Sequence, residues 1–501
     1  MSDAGRRVTP LDAPITRIAV VGGGIVGWSA AVALRRRVPG VAVTIVATPP
    51  PPDALADRIA QTLPSTIGFH DDLGLSEDDA VLRAGGIWRL GSAFEGWAGD
   101  LPPYVHAYGP CGQPFGTASF HHHWLRAARA GTAAPFEAHA PAAMLARAGR
   151  MPIPPAGIVA EVQAAVMLDV PRYRAMLEAF ARHLGVEVRD GEVATVRRRG
   201  DDGFVDALLL TDGTVVSADL FVDASGPRAT VRGAIDDVRE DWQRWLRCDR
   251  LVTADGPPER MTALDQVHAT PAGWRWRTPT VDRTSHGLCY AGAFLAEADA
   301  QEALATAGAT AIAPAVAFRQ GTRPEPWAHN CVAVGDAATV IEPLDFTNLH
   351  LAHSAIDRIV AMLPGRACHP LEIADFNRQA QAEVVRVRDF VLCHYATAQR
   401  PEPFWRVSEP LPDSLARTLA AFRERGRLPF FEEETFSRDD WLTVLIGQGT
   451  MPRRIDPLIE TTDAADSDRA MAAYRAAIGQ AVSRCPDLDA YFHSQRKRLG
   501  R

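Results

Sequence analysis

The sequence predicts an α/β fold: a parallel sheet wound from the N-terminal region, β-rich insertions, and a mainly helical C-terminal region. Three observations predict it. A short apolar run, a glycine-rich turn, a helical stretch and a second apolar run follow one another within the first fifty residues. Two later apolar runs each end in a turn of small and acidic residues. From about residue 370 the apolar positions take on helical spacing.

Thr16 to Val21 is rich in Ile and Val and reads as a buried parallel strand. Trp28 to Arg37 reads as a helix and Val41 to Val46 as the next strand. Between the first two lies Gly22-x-Gly24-x-x-Gly27, the spacing of a Rossmann dinucleotide fingerprint. Its glycines serve a tight turn, close backbone approach to a pyrophosphate, and close helix packing, with the helix N-terminus aimed at the anion. The fingerprint also asks for an acid at the end of the second strand, to hold the ribose hydroxyls. Here Ile45-Val-Ala-Thr48 runs into Pro49 to Pro52, and Ala47 stands at that position. Asp53 lies beyond a stiff proline spacer. The expectation is weaker dinucleotide binding, or a ribose held from elsewhere.

Leu168 to Leu184 opens a helix, and Gly185-Val-Glu-Val starts a strand. Val193 to Val196, Ala207 to Leu210 and Val215 to Leu220 continue as strands around the Asp212-Gly213 turn. Phe221-Val-Asp-Ala-Ser-Gly226 is a strand entering a turn, and Asn330 to Ala338 is a strand entering Gly335-Asp336-Ala337. Phe376 to Ala396, Leu411 to Arg425, Trp441 to Ile446 and Ala470 to Val482 read as helices. His121-His-His123 lacks ligand partners and reads as a partly exposed loop or helix, so no metal site is expected.

Glycine turn, Asp-Ala-Ser-Gly and Gly-Asp-Ala, in this order, resemble FAD-binding flavoproteins of the glutathione reductase/hydroxybenzoate hydroxylase type. The resemblance implies a Rossmann-like FAD-binding fold in which the aspartate of Gly-Asp-Ala contacts the ribityl chain. The expected cofactor residues are Gly22, Gly24, Gly27, Gly335, Asp336 and Ala337. One domain is expected over 1–370, with substrate-side insertions at about 85–165 and 235–330. A helical region over 371–501 is expected to cover the substrate side.

Composition bounds the function. The 501 residues carry a net charge of −8, which argues against a general affinity for nucleic acid. No run of eighteen apolar residues suggests a membrane span. The first fifteen residues lack the apolar core of a secretory signal. Seven scattered cysteines without a Cys-x-x-Cys pair read as reduced thiols of a cytoplasmic protein.

Gly273-Trp-Arg-Trp-Arg-Thr-Pro279 resembles the WxWxIP signature of flavin-dependent halogenases, whose best-known members chlorinate tryptophan. Gly22-Gly-Gly-x-x-Gly-Trp28, Trp327-x-x-Asn330, Glu342-Pro-Leu-Asp-Phe-Thr347, Arg388-Asp-Phe390, His394-Tyr395, Pro403-Phe-Trp405 and Trp441 to Pro452 extend the resemblance over nearly the whole chain. It implies an FAD-dependent oxidoreductase of two-component type, fed reduced FAD by a separate NAD(P)H-dependent flavin reductase. Oxygen and reduced FAD give a flavin C4a-hydroperoxide, and chloride or bromide attacks it to yield hypohalous acid. The acid then halogenates an electron-rich, indole- or phenol-like substrate. Trp274 and Trp276 keep substrate from the flavin in this scheme. Many such enzymes are homodimers.

Carried over residue by residue, the resemblance departs at one decisive place. The family uses a lysine near the reacting arene, and this chain has a single lysine, Lys497. Aligning Gly86 to Trp97 on its terminal Phe-x-x-Trp puts Arg89 at the lysine position. Arginine stays protonated, so a haloamine is not expected. Arg89 reads either as a hydrogen-bond donor to hypohalous acid or substrate, or as a structural cation filling the same space. Asp345 stands at the catalytic glutamate position, one methylene shorter. The halide cradle, Thr-Gly in the family, is Thr347-Asn348, with asparagine expected to supply the left-handed backbone. Three functions follow: a halogenase, a flavin monooxygenase on the same scaffold, and an inactive ligand-binding paralogue.

Overall fold

The computed structural model describes residues 13–76, 79–153, 155–406 and 409–498. Most of the first fifteen residues, read above as lacking a secretory signal, lie outside them. The chain forms two compact units. One comprises the described parts of Met1–Gly85, Leu168–Trp242 and Phe318–Val385; the other comprises those of Gly86–Met167, Gln243–Ala317 and Arg386–Arg501.

The first unit is organised by a six-stranded sheet. Its order is Trp327–Ala328, Cys331–Ala333, Leu220–Asp223, Arg17–Val21 (β1), Ala42–Val46 (β2) and Glu187–Arg189, parallel except at the Trp327 edge. Helix α1, Ile25–Arg37, crosses from β1 to β2 and buries its first ten residues. The glycine turn makes that burial possible: a Cβ on Gly27 would lie 1.9 Å from the Gly22 carbonyl oxygen. A three-stranded antiparallel sheet of Val193–Arg198, Val205–Leu210 and Val215–Val216 packs Val205, Leu208 and Leu210 into one core with Ala19, Val46 and Phe221. The run Val215 to Leu220, expected as one strand, is two. Asp219 interrupts it, because its carboxylate accepts the amides of Thr16 and Arg17 at 2.8 and 3.0 Å.

The second unit holds an eight-stranded sheet that includes Gly91–Glu95, Tyr104–Ala107, Arg250–Gly256, Leu264–Thr270, Gly273–Pro279 and Thr284–Tyr290. Short Ile87–Arg89 pairs with Ala165–Met167 in a separate ribbon. The segments Phe94, Trp97, His394, Tyr395 and Trp405 form one aromatic cluster, with Trp97 edge-on to Trp405 at 4.9 Å between ring centres. Several of the matching motifs therefore serve packing. Helix Phe120–Arg129 carries the three histidines, and all are buried rather than partly exposed. His121 Nε2 meets the Gly426 carbonyl at 2.9 Å and His123 Nδ1 the Ser467 hydroxyl at 2.8 Å, so two of the three are buried with a partner. Helix Pro370–Thr397 opens the helical region read from the periodicity. Among the described residues no helix is long and apolar enough to cross a membrane.

Candidate functional site

The expected residues fall on both units. Gly22, Gly24, Gly27, Gly335, Asp336, Ala337, Asp345, Thr347 and Asn348 belong to the first; Arg89, Trp274 and Trp276 belong to the second.

In the first unit, β1 delivers the glycine turn to the start of α1. The N-terminus of α1 already binds an anion, the chain's own. Asp57 Oδ1 accepts the Ile25 amide at 2.9 Å, and its other oxygen lies 2.2 Å from where a Cβ on Gly24 would stand. Burial raises the Asp57 carboxyl pKa, against the Ile25 hydrogen bond and the charge of Arg174. Gly335 turns with φ +59, and a Cβ there would meet Val26 of α1 at 3.1 Å. This close crossing buries Asp336, whose Oδ2 accepts the Ala56 amide at 3.3 Å. Burial pushes the Asp336 carboxyl up to about 7, with the charges of Asp57 and Asp53 adding to it. A helix N-terminus that takes a carboxylate, beside glycines placed for backbone approach, fits a dinucleotide diphosphate. The Asp223 carboxylate, by contrast, is spent inside its turn on the amides of Ser225, Val231 and Arg232 and the Ser225 hydroxyl.

A second constellation occupies Glu342 to Asn348. Glu342 is buried and exchanges two 2.8 Å hydrogen bonds with Gln320. The chain then takes left-handed backbone at Asp345 (φ 56) and Phe346 (φ 58) before helix Asn348–Ala361 starts. Asn348 was the residue expected to turn left-handed; it is instead the first helical residue. Its amide group donates to the Ile341 carbonyl at 2.9 Å, closing the turn from within. Two successive left-handed residues other than glycine store about 1–2 kcal/mol each. The turn holds that strain by its anchors at both ends. The Thr347 hydroxyl and the Asn348 side-chain oxygen are buried and have no hydrogen-bond partner among the described residues.

In the second unit, Trp274 and Trp276 lie two apart on one strand, so both point to one face and are buried, with ring centres 5.6 Å apart. Trp276 lies across Gly287 of the neighbouring strand, where a Cβ would stand 2.0 Å from the indole. Arg89 ends the strand Ile87–Arg89 and is fully buried. Its guanidinium forms an ion pair with Asp265, which also accepts the Thr278 hydroxyl. Tyr108 places its ring 5.8 Å from the guanidinium carbon. Asp265 sits opposite Ser92 in the parallel pairing of Leu264–Thr270 with Gly91–Glu95, which brings it to Arg89. Nothing local in the sequence marks Asp265 or Asp57. A cavity of about 640 Å³ in this unit is lined by Cys111, Phe120, His121, Glu161, Asp439 and Tyr474, among others.

Two clusters are therefore present: a glycine-flanked helix start that takes the Asp57 carboxylate, beside the buried acid Asp336, and a strained, partly unsatisfied turn at a second helix start. Comparison with known proteins agrees with the sequence motifs. The tryptophan halogenase family model matches residues 17–464. The tryptophan 7-halogenase RebH of Lentzea aerocolonigenes is 26% identical over 487 residues, covering 88% of this chain and 91% of RebH. Among solved structures, BrvH, a flavin-dependent halogenase from Brevundimonas sp. BAL3, superposes with a TM-score of 0.89 at 33% identity, over 97% of this chain and 100% of BrvH. Xcc4156, a flavin-dependent halogenase from Xanthomonas campestris, gives 0.89 at 30% identity, over 96% and 98% of the two chains. The chain belongs to the tryptophan halogenase family and is an FAD-dependent oxidoreductase of the kind that acts on aromatic substrates.

Proposed function

We propose that this protein halogenates an electron-rich, indole- or phenol-like substrate without a covalent lysine relay. One observation carries the reading: the buried Thr347 hydroxyl, without a partner among the described residues, stands at a helix start two residues from Asp345. A halide suits that place, because a hydroxyl donor and the first amides of a helix both face a negative charge.

Bound FAD, reduced by a separate NAD(P)H-dependent flavin reductase, supplies with oxygen the two-electron oxidation of halide to hypohalous acid. The residues present would hold FAD by the turn Gly22, Gly24 and Gly27 at the diphosphate and by Gly335, Asp336 and Ala337 at the ribityl chain. Thr347 and Asn348 hold the halide. Trp274 and Trp276 fill space densely and keep water and substrate out. Arg89 cannot become a haloamine. Its guanidinium, held by Asp265, donates hydrogen bonds and polarises hypohalous acid. The arene carbon takes the halogen as the oxygen–halogen bond breaks, and the Asp345 carboxylate takes the proton from that carbon and passes it to the departing hydroxide, which leaves as water.

A second reading, oxygen insertion without halide, is favoured by the burial of Arg89 against Asp265. One assay separates the two. Protein, FAD, flavin reductase, NADH, oxygen and bromide are incubated with indole and phenol probes, and products are weighed by mass spectrometry. Brominated product that vanishes without bromide supports halogenation. Oxygenated product that is indifferent to bromide replaces it with the second reading, and neither product overturns both.

A further inference from the structure

The acid missing from the end of β2 has a successor one strand away. Adjacent parallel strands finish on the same edge of a sheet, about 4.8 Å apart. Next to β2 lies Glu187–Arg189, in register Val46 with Arg189. Just past its end comes Glu192. That turn is tied to β2 and held in place on both sides. The Thr48 hydroxyl donates to the Gly191 carbonyl at 2.8 Å, and the Glu192 carbonyl accepts the Thr211 amide at 2.9 Å. A small cleft of about 60 Å³ results, lined by Gly22 of the glycine turn, Thr48 at the β2 end, Ser225, Arg228 and Glu192. Ala47 leaves the β2 end without a carboxylate, and Asp53 does not line the cleft. The proline run carries Asp53 toward Arg58 and Asp336 instead.

We propose that Glu192 holds the ribose hydroxyls of the cofactor's adenosine half, in place of the acid that β2 lacks. The inference rests on the reading that this unit binds FAD. A carboxylate is the natural partner of a vicinal diol, since its two oxygens accept two hydroxyl hydrogens at once. The glycine turn and the Ser225 turn bound the same cleft, so a nucleotide whose diphosphate lies at α1 places its ribose there.

The test is binding, read by quenching of flavin fluorescence, with ADP and 2′-deoxy-ADP as competitors against FAD. The unsubstituted protein is expected to bind FAD and to prefer ADP over 2′-deoxy-ADP by about tenfold. Glu192→Ala is expected to weaken FAD about tenfold and to erase the preference between the two nucleotides. Adding Ala47→Glu to Glu192→Ala is expected to restore both. Glu192 is exposed, and a thermal melt of each variant checks its fold. Unchanged FAD affinity in Glu192→Ala, with the ADP preference intact, overturns the inference while leaving FAD binding itself standing. No FAD binding by the unsubstituted protein overturns the underlying reading instead.

Discussion

Arg89 and Asp265 form an ion pair in which both side chains are fully buried. The arginine at the lysine position is therefore charge-compensated inside the second unit, and it cannot be exchanged in isolation. Removing one partner leaves an uncompensated buried charge, which costs about 3–5 kcal/mol. Asp265→Ala is expected to lower stability by that order, measured by urea denaturation. Arg89→Lys alone leaves an ammonium facing a carboxylate, which keeps it protonated. Arg89→Lys with Asp265→Asn frees the amine and is expected to brominate faster than Arg89→Lys alone. Equal rates in the two variants would exclude an influence of Asp265 on that position.

Asp345 combines a buried carboxylate with left-handed backbone. Asparagine tolerates that backbone and removes only the basic group. Asp345→Asn is expected to cut turnover by about 10²–10⁴-fold with little change in Tm. Asp345→Ala loses the same turnover and also melts earlier, because its Cβ gains no local hydrogen bond to offset φ 56. Activity assays and melts on both variants read the two effects separately.

The Asp57 carboxylate accepts the first amide of α1, at the helix start proposed to take the diphosphate. On the proposed reading, an FAD diphosphate at the start of α1 displaces it. Asp57→Ala is expected to destabilise the FAD-free protein by about 1 kcal/mol, the scale of a lost helix cap. The same variant is expected to bind FAD several-fold more tightly, since the competitor is gone. Titration calorimetry that finds weaker binding would mean that Asp57 stays at the helix in the complex.

Trp276 depends on the absence of a side chain at Gly287. Gly287→Ala forces the indole away or distorts two paired strands, at a cost of about 1–3 kcal/mol. Near-ultraviolet circular dichroism should report the displaced ring. If oxygenated by-products rise together with that change, the tryptophan pair does shield the reaction centre.

Buried histidines make the protein sensitive to acid. Burial lowers His121 to about 3 and His70, His122 and His139 to about 4. Each stays neutral in the folded chain and takes a proton only on unfolding, so the unfolded state binds more protons below about 6.5. Stability is expected to fall as pH drops from 6.5 toward 4, by about 1 kcal/mol for each fully buried histidine at pH 5.5. A Tm that is flat between pH 7 and pH 5 would contradict these burials.

The order of strand, glycine turn, helix, strand, and the positions of Gly335 to Ala337 and Trp274 to Pro279, were legible in the sequence by itself. Their signals are local: apolar periods of two and 3.6, and glycines at fixed offsets. The resemblance of separated motifs carried the family in the same way. Only the tertiary structure decided what those residues meet. Asp265 reaches Arg89 through the pairing of distant strands. Asp57 reaches α1 after the proline run has redirected the chain. The left-handed turn falls on Asp345 and Phe346 instead of Asn348, because Asn348 is held by Ile341 as the helix begins. The three histidines on Phe120–Arg129 are buried because segments distant in sequence close over them, with Gly426 and Ser467 as partners of His121 and His123. Each outcome turns on strand register and on which polar groups are sealed from water together. Those depend on the burial of whole faces and leave no mark on the neighbouring residues.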